Sequence, residues 1–379
     1  MIMNIKLTDV CDILYGYPFD SSKFNSNNGI GVVRIRDIVR GYTETFTTED
    51  CSEQYAVKKG DILVGMDGEF NIAKWQGAPA MLNQRVCKLS PKANLDKNYL
   101  FYHMPIILKS IEARTPFVTV KHLSAKELNN VYLQLPSIEE QRKIALVLST
   151  IDLLIGNYYT QLQDLGNLVK SRFNELFGDL LKNKFNWPIV NFQDVVYFQE
   201  GPGIRNWQFK DKGIKLINIR NLVDDELNLK NTSNYLSEEE VKQRYNHFLL
   251  DIGDYVMASS GVTWGKIAEI HKEHLPLCLN TSIIRLRPYD EKIILRKFLF
   301  HYIKSDVFRN QIEKLITGSA QPNFGPSHLR KILILLPNIE TQKIFSDFVT
   351  QVDKSKLAVQ QSLNELETLK KSLMQQYFG

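Results

Sequence analysis

No stretch of this 379-residue chain holds about eighteen uninterrupted apolar residues, and residues 1–6 lack the basic-then-apolar pattern of a secretory leader. A membrane span and secretion are set aside, and a cytoplasmic protein is expected. Cysteine is scarce. Cys11, Cys51, Cys87 and Cys278 stand singly, with no Cys-x-x-Cys pair and no histidine spaced to share a metal. That pattern excludes a disulfide framework and a structural zinc site, and predicts reduced, mostly structural thiols. Low-complexity runs and strongly charged tails are also missing, so disorder is not the main theme.

Catalytic patterns are missing as well. No Gly-x-Gly-x-x-Gly follows a strand, and no Asn-Pro-Pro-Tyr-like or Asp-Pro-Pro-Tyr-like segment of an adenine methyltransferase occurs. Gly261-Val262-Thr263-Trp264-Gly265-Lys266 superficially looks like a phosphate loop, but it is one residue short and Ile267 stands where Ser or Thr would bind magnesium. His271-Lys272-Glu273-His274 lacks the spacing that aims two imidazoles at one metal, so it reads as a surface turn. In Pro288-Tyr289-Asp290-Glu291-Lys292 the carboxylates are adjacent rather than separated across a strand pair, which also fits a solvated turn. No catalytic residue, no metal site and no cofactor of its own are expected.

What is present is a globular composition, 44% hydrophobic and 23% charged, in a length that suits two domains. A formal charge of +5 permits nucleic-acid binding without requiring it. The sixteen Tyr and twenty Phe are read first as core residues.

An internal repeat organises the chain. Leu135-Pro136-Ser137-Ile138-Glu139-Glu140-Gln141 returns as Leu336-Pro337-Asn338-Ile339-Glu340-Thr341-Gln342, an offset of 201. The offset holds without a gap: Asp152 falls on Asp353, Leu162 on Leu363, Leu165 on Leu366, Lys170-Ser171 on Lys371-Ser372 and Phe177-Gly178 on Phe378-Gly379. Upstream the repeat continues with smaller offsets: Ile35-Arg36 matches Ile219-Arg220 at 184, Gly60-Asp61 matches Gly253-Asp254 at 193, and Leu82-Asn83 matches Leu279-Asn280 at 197. The chain is a tandem duplication in which each copy has a variable globular part followed by a constant part.

The constant part reads as a long helix. Ser137 and Glu140 fit a capping box at its start. Ile144, Leu148, Ile151, Ile155, Tyr158, Leu162, Leu165, Val169 and Leu176 then follow four-and-three spacing, interrupted at Arg172. Copy two offers Phe345, Val349, Val352, Val359, Leu363, Leu366, Leu373 and Tyr377, with Lys356 and Lys370 interrupting. Two such helices of about forty residues would each be near 60 Å long, and the connectivity favours an antiparallel coiled coil. The expected molecule is pseudo-twofold, with the globular parts at opposite ends and Gly379 near Met1.

In the globular parts, residues 31–38, 61–65, 215–219, 254–258 and 282–286 read as strands, and 97–114 and 292–315 as helices. The predicted fold class is α+β, with a mixed α/β domain at 1–136, a helix at 137–179, a second domain at 180–337 and a second helix at 338–379.

This arrangement resembles the specificity subunit of Type I restriction-modification systems over essentially the full chain. Its most specific segments are Val64-Gly65-Met66-Asp67-Gly68-Glu69-Phe70-Asn71, Leu82-Asn83-Gln84-Arg85-Val86, Gly318-Ser319-Ala320-Gln321-Pro322-Asn323 and the twice-used Leu-Pro-x-Ile-Glu-x-Gln. The resemblance implies two target-recognition domains that each read half of an interrupted double-stranded DNA site, and helices that set the spacing and dock methyltransferase subunits, two of them expected. Those partners would use S-adenosylmethionine to methylate adenine, and restriction motor-nuclease subunits would join them. Arg suits guanine, Asn or Gln suits adenine, and cations suit phosphates. The expected contacts are therefore Arg34, Arg36, Lys74, Gln84, Arg85, Lys121 and His122 in the first part. In the second they are Arg205, Arg220, Trp264, Lys266, Gln321, Asn323, His328 and Arg330. An adaptor that bridges proteins through its coiled coil without touching DNA is the competing reading. A stand-alone enzyme would need the polar constellations that are missing.

Overall fold

A computed structural model describes residues 3–115, 121–178, 182–223, 225–230, 232–316 and 323–379. The chain divides into two units, one of residues 1–161 with 359–379, the other of residues 162–358. Each unit therefore holds one globular part and a segment of both long helices.

In the first unit, a four-stranded antiparallel sheet runs in the order Cys11–Tyr15, Val86–Pro91, Ile62–Gly65, Ile72–Lys74. A second sheet runs Phe46–Thr47, Ile30–Val33, Ala80–Leu82, Ala56–Val57, its central pair parallel. Met3–Lys6 pairs antiparallel with Tyr132–Leu135. The first sheet packs on the helix Lys97–Arg114 around Ile62, Val64, Leu89, Leu100, Leu108 and Ile111, all at most 2% exposed. The expected helix at 97–114 is present with those bounds. The expected strand at 31–38 is not: the strand ends at Val33 and Ile35–Arg40 is a helix. Asp37, fully buried, accepts the Arg34 main-chain N–H at 2.9 Å and so starts a helical turn, and Gly41 at φ +77° ends it.

The second unit repeats the four-stranded sheet and the two-stranded pair, but its second sheet has three strands, Tyr235–Leu236, Ile214–Leu216 and Leu277–Cys278, beside a separate hairpin of Leu222–Val223 and Glu226–Leu227. Its four-stranded sheet runs Val196–Glu200, Ile283–Pro288, Tyr255–Ala258, Ile267–Glu269, and Ile189–Asn191 pairs with Leu333–Leu335. The expected strand at 215–219 shortens to Ile214–Leu216, followed by a single turn at Ile219–Asn221. The expected helix at 292–315 is two, Arg296–Ile303 and Asp306–Leu315, because the Ser305 hydroxyl accepts the Phe308 N–H and caps a new start.

The long helices are Ile138–Phe177 and Ile339–Phe378. Within the first unit Asp152 pairs with Lys370 at 2.5 Å and Tyr159 donates to Glu367 at 2.9 Å, so the partner number falls as the first rises and the helices run antiparallel. Within the second, Phe173 and Phe177 meet Phe345 edge-on at 5.3 and 5.4 Å, and Leu165, Val169 and Val352 share their cluster. The capping box is half made. The Ser137 hydroxyl accepts the Glu140 N–H at 3.3 Å, whereas the Glu140 carboxylate lies near Lys143.

The repeated Gln of the helix entry has a structural reason. Gln141, 1% exposed, accepts from Asp96 N–H and donates to the carbonyls of Asn94 and Pro136. Gln342, fully buried, makes the equivalent bonds to Leu295, Ile293 and Pro337. Each carboxamide ties the long helix to the start of the domain's main helix, and each buried group left without its bond would cost about 1–3 kcal/mol.

Burial also sets a pH response. His103, 7% exposed and stacked on Phe378 at 4.8 Å, is pushed down to about 4 by desolvation. The unfolded chain takes up this proton below about 6.5 while the folded chain resists until about 4, so stability falls as pH drops through that window. His301, among Phe173, Phe300 and Phe345, is pushed down to about 3 and acts in the same direction. From pH 7 to pH 5 each should remove about 2 kcal/mol. Urea titrations of wild type and His103→Tyr at the two pH values check this: the variant should lose roughly half the dependence, and an unchanged dependence would refute the assignment.

Candidate nucleic-acid interface

Three sequence-distant segments of the first unit meet at the loop that follows Ile62–Gly65. The Leu123 N–H donates to Met66 O at 2.7 Å, Gly68 N–H to Lys121 O at 2.9 Å, and Met66 N–H to Arg85 O at 3.0 Å. Asp67 sits at the junction: one carboxylate oxygen is 2.5 Å from His122 Nδ1 and the other 3.4 Å from Arg85 Nε. Arg85 and His122 are half exposed while Asp67 is mostly covered, so the acid holds both groups at the surface. Gln84 is exposed beside them.

The remaining candidates of this unit lie apart from that junction or are occupied. Lys121 is paired with Glu112 at 3.3 Å. Lys74 is half-buried, donates to Asn98 at 2.8 Å and lies 4.6 Å over the Phe101 ring. Its pKa is lowered, first by burial and then by Lys97. Exposed Arg34 covers the Phe24 ring at 5.7 Å, and Arg36 donates to the Thr45 hydroxyl at 3.1 Å.

The second unit builds the same junction with different side chains. Ser260 bridges to Asn323 where Asp67 bridges to His122, and Phe324 N–H donates to Ser259 O at 3.0 Å. The glycine-rich segment at 261–266 is the tight turn joining Tyr255–Ala258 to Ile267–Glu269, with Gly261 and Gly265 both near φ +80°. Val262 at its tip is 98% exposed and Lys266 is exposed. Trp264 turns inward. It is 9% exposed, edge-on to Phe324 at 5.7 Å and covered by Arg309 at 4.9 Å, so it is a core residue and not a surface reader. Its apolar area outweighs the turn residues around it.

Arg205, Arg220, Asn323 and Arg330 are exposed, and Arg220 donates to the Ser233 hydroxyl at 3.4 Å. His328 accepts from Gly325 N–H through Nδ1 at 3.1 Å, which makes it a local helix-start cap. Gln321 lies outside the described residues. Asp67, whose charge is of the same sign as that of DNA, and Trp207, 74% exposed beside Arg205, are not among the contacts expected from sequence.

Among the described residues no group of His, Cys, Asp and Glu could hold a metal, and no helix is long and apolar enough to cross a membrane. Burial pushes the thiols of Cys11, Cys87 and Cys278 up to about 12, which fits structural roles.

The model of the Type I restriction modification DNA specificity domain matches twice, over residues 2–164 and 185–368. The chain belongs to the Type I specificity family. The EcoBI specificity subunit of Escherichia coli is 28% identical over 99% of this specificity chain and 85% of that protein. The MjaVIII specificity subunit of Methanocaldococcus jannaschii is 27% identical over 85% of this chain and 79% of that one. A Type I S subunit from M. genitalium shares the fold with a TM-score of 0.58 at 15% identity, covering 99% of this chain and 95% of that chain. A chain from a study of complex assembly in the type I R-M system gives 0.59 at 17% identity, covering 100% of this chain and 97% of its own length.

Proposed function

We propose that this chain is the sequence-reading subunit of a Type I restriction-modification enzyme, each unit reading one half of a bipartite DNA site. The observation that carries the reading is the duplicated junction: two units that share the four-stranded antiparallel sheet present corresponding bridges, Asp67 to His122 and Ser260 to Asn323, with different side chains. One scaffold with divergent loop residues is what two different half-sites require. Arg34, Arg36, Gln84, Arg85, His122, Arg205, Arg220, Lys266, Asn323 and Arg330 form the proposed contact set, together with Gln321. Lys74, Lys121 and His328 act through their neighbours, and Trp264 supports the turn from within.

The chemistry comes from partners: methyltransferase subunits, two per chain, that carry S-adenosylmethionine, and motor-nuclease subunits. A helix-on-helix docking surface is available on the first long helix, where Leu146 and Leu153 are 67% and 65% exposed one heptad apart, flanked by Val147 and Leu154. A net charge of +5 is small for gripping a long site alone.

Band shifts with duplex DNA, with and without the methyltransferase and across a salt series, test the reading. Tight, salt-dependent binding is expected only with the partner present. Arg34→Gln and Arg330→Gln should each lower the slope of log affinity against log salt by about one if they touch phosphates. Specific binding by the isolated chain, or none in the complex, would contradict the reading, and the latter would favour the adaptor.

A further inference from the structure

The duplication allows each unit to be compared with the other residue by residue, and one difference leaves a hole. In the second unit the side chain of Gln311 lies alongside the strand Leu333–Leu335. Its Oε1 accepts the Leu333 N–H at 2.9 Å, and its Nε2 donates to Leu333 O at 2.9 Å and to the Tyr302 hydroxyl at 3.1 Å. Tyr302 also donates to Leu333 O at 2.6 Å. The carboxamide thus takes the outward N–H and C=O of that strand as a neighbouring peptide unit would.

In the first unit the corresponding positions are Ser110 for Gln311 and Tyr132 for Leu333, both at the offset of 201, and His103 for Tyr302, inside the matching runs Tyr99-Leu100-Phe101-Tyr102-His103 and Phe298-Leu299-Phe300-His301-Tyr302. The pairing register has Leu7 N–H donating to Val131 O, so Tyr132 is a non-hydrogen-bonded position whose N–H and C=O face away from Met3–Lys6. Among the described residues no carboxamide bonds to them. An open cavity of about 790 Å³ stands there instead, its lining including His103, Ser110, Arg114, Lys126, Tyr132 and Phe378. His103, 93% buried, has no hydrogen-bond partner for Nδ1 among the described residues. Arg114 and Lys126 are exposed at the cavity, neither with an ion-pair partner among the described residues, while the carboxylate of Glu127 in the same lining is held by Ser124.

We propose that this cavity receives an extended peptide segment of a partner protein, which adds beside Tyr132–Leu135 so that one of its peptide units makes the pair of bonds that Gln311 makes in the second unit. Strand addition supplies main-chain bonds and leaves alternate side chains to be sorted by pockets. The two unpaired cations select an acidic residue next to the docked unit, and the volume is that of a ligand several times larger than one carboxamide. The inference is independent of DNA reading, because the cavity lies on the helix Lys97–Arg114 and the strand Tyr132–Leu135, not on the loops assigned to bases.

The test uses the full chain and a displayed random dodecapeptide library, with counter-selection against Ser110→Gln, which should restore the internal carboxamide. Recovered peptides should carry Asp or Glu, bind wild type at least about tenfold tighter than Ser110→Gln, lose that preference when one peptide nitrogen is methylated, and move the Tyr132 amide resonance. Amide hydrogen exchange gives a second reading without any ligand: Ser110→Gln should slow exchange at Tyr132 by about tenfold or more. Unchanged exchange would mean that the two positions are not equivalent. Peptides that ignore both Ser110→Gln and N-methylation would overturn the proposal. So would a site saturated by propionamide but by no peptide, which would make it a small-amide site.

Discussion

Replacing Arg285 by Met should destabilise the second unit by about 3–5 kcal/mol, a large share of the roughly 5–15 kcal/mol that holds a domain folded. Arg285 is 4% exposed and donates to Leu249 O, His247 O and Gln199 as well as lying 3.4 Å from Asp254, itself 1% exposed. Burial raises the Asp254 pKa, opposed by the Asp251 N–H and then by Arg285 and Arg287. Removing the guanidinium leaves a covered carboxylate with the Asp251 N–H and, as its one remaining cation among the described residues, the partly exposed Arg287 at 3.6 Å, together with main-chain carbonyls that lose their donor. At the corresponding place in the first unit, Lys88 reaches Ala56 O at 2.7 Å and Asp61 at 3.8 Å, a smaller set of bonds. Lys88→Met should therefore cost less than half as much. Urea unfolding of the two variants measures the contrast. A loss under about 1 kcal/mol for Arg285→Met would show that the pair is not what supports this core.

Gly16→Ala should abolish site-specific methylation while leaving the second unit folded. The argument is one of space, since a β-carbon on Gly16 would stand 2.1 Å from the Asn83 carbonyl oxygen and 2.3 Å from its carbon. Backbone cannot swing aside like a flexible side chain, so the end of the strand Cys11–Tyr15 or the turn at Asn83 must move. That turn carries Gln84 and Arg85, and Val86 N–H donates to Asn83 O across it at 2.9 Å. Overpacking of this kind costs about 3 kcal/mol or more. It also displaces the Arg85–Asp67–His122 junction, so under the proposed function one half-site goes unread and the bipartite target is lost. Gly201 meets the Asn280 carbonyl at the same 2.1 Å, so Gly201→Ala should give the same loss from the other half. Methylome sequencing of strains carrying each variant decides it: methylation at the original site with normal efficiency would refute the argument.

Much of this architecture was legible because it is written twice. The helix entries and the equivalence of the two globular parts follow from offsets in the sequence, antiparallel pairing follows from the connectivity, and the bonds Asp152–Lys370 and Tyr159–Glu367 agree with it. The repeated Gln was visible as a repeat, but its work on three main-chain groups was not, since two of them, on Asp96 and Asn94, lie 45 and 47 positions away. The loops were less legible for a different reason. Polar side chains in a turn face inward or outward according to partners that the turn itself does not encode. Trp264 lies among glycines and polar residues yet points at Phe324, and Lys74 follows a strand pattern yet is held by Asn98. Asp67 has the same sign as DNA, and only the junction reveals that it positions two cations.

The division of the chain also bears on the order in which it is made. The second unit is one continuous segment, residues 162–358, whereas the first is split and includes residues 359–379. The ribosome therefore releases the first globular part long before its helical complement, with about 200 residues between them, a wait of roughly 10–40 s at 5–20 residues per second. During that interval Tyr99 and His103 lack the cover that Phe378 gives them, and Asp152 lacks Lys370. The domain that is synthesised first is finished last, so the nascent chain carries an open apolar seam through the whole production of its second half, and a chain interrupted within residues 359–379 would fail in the part translated earliest.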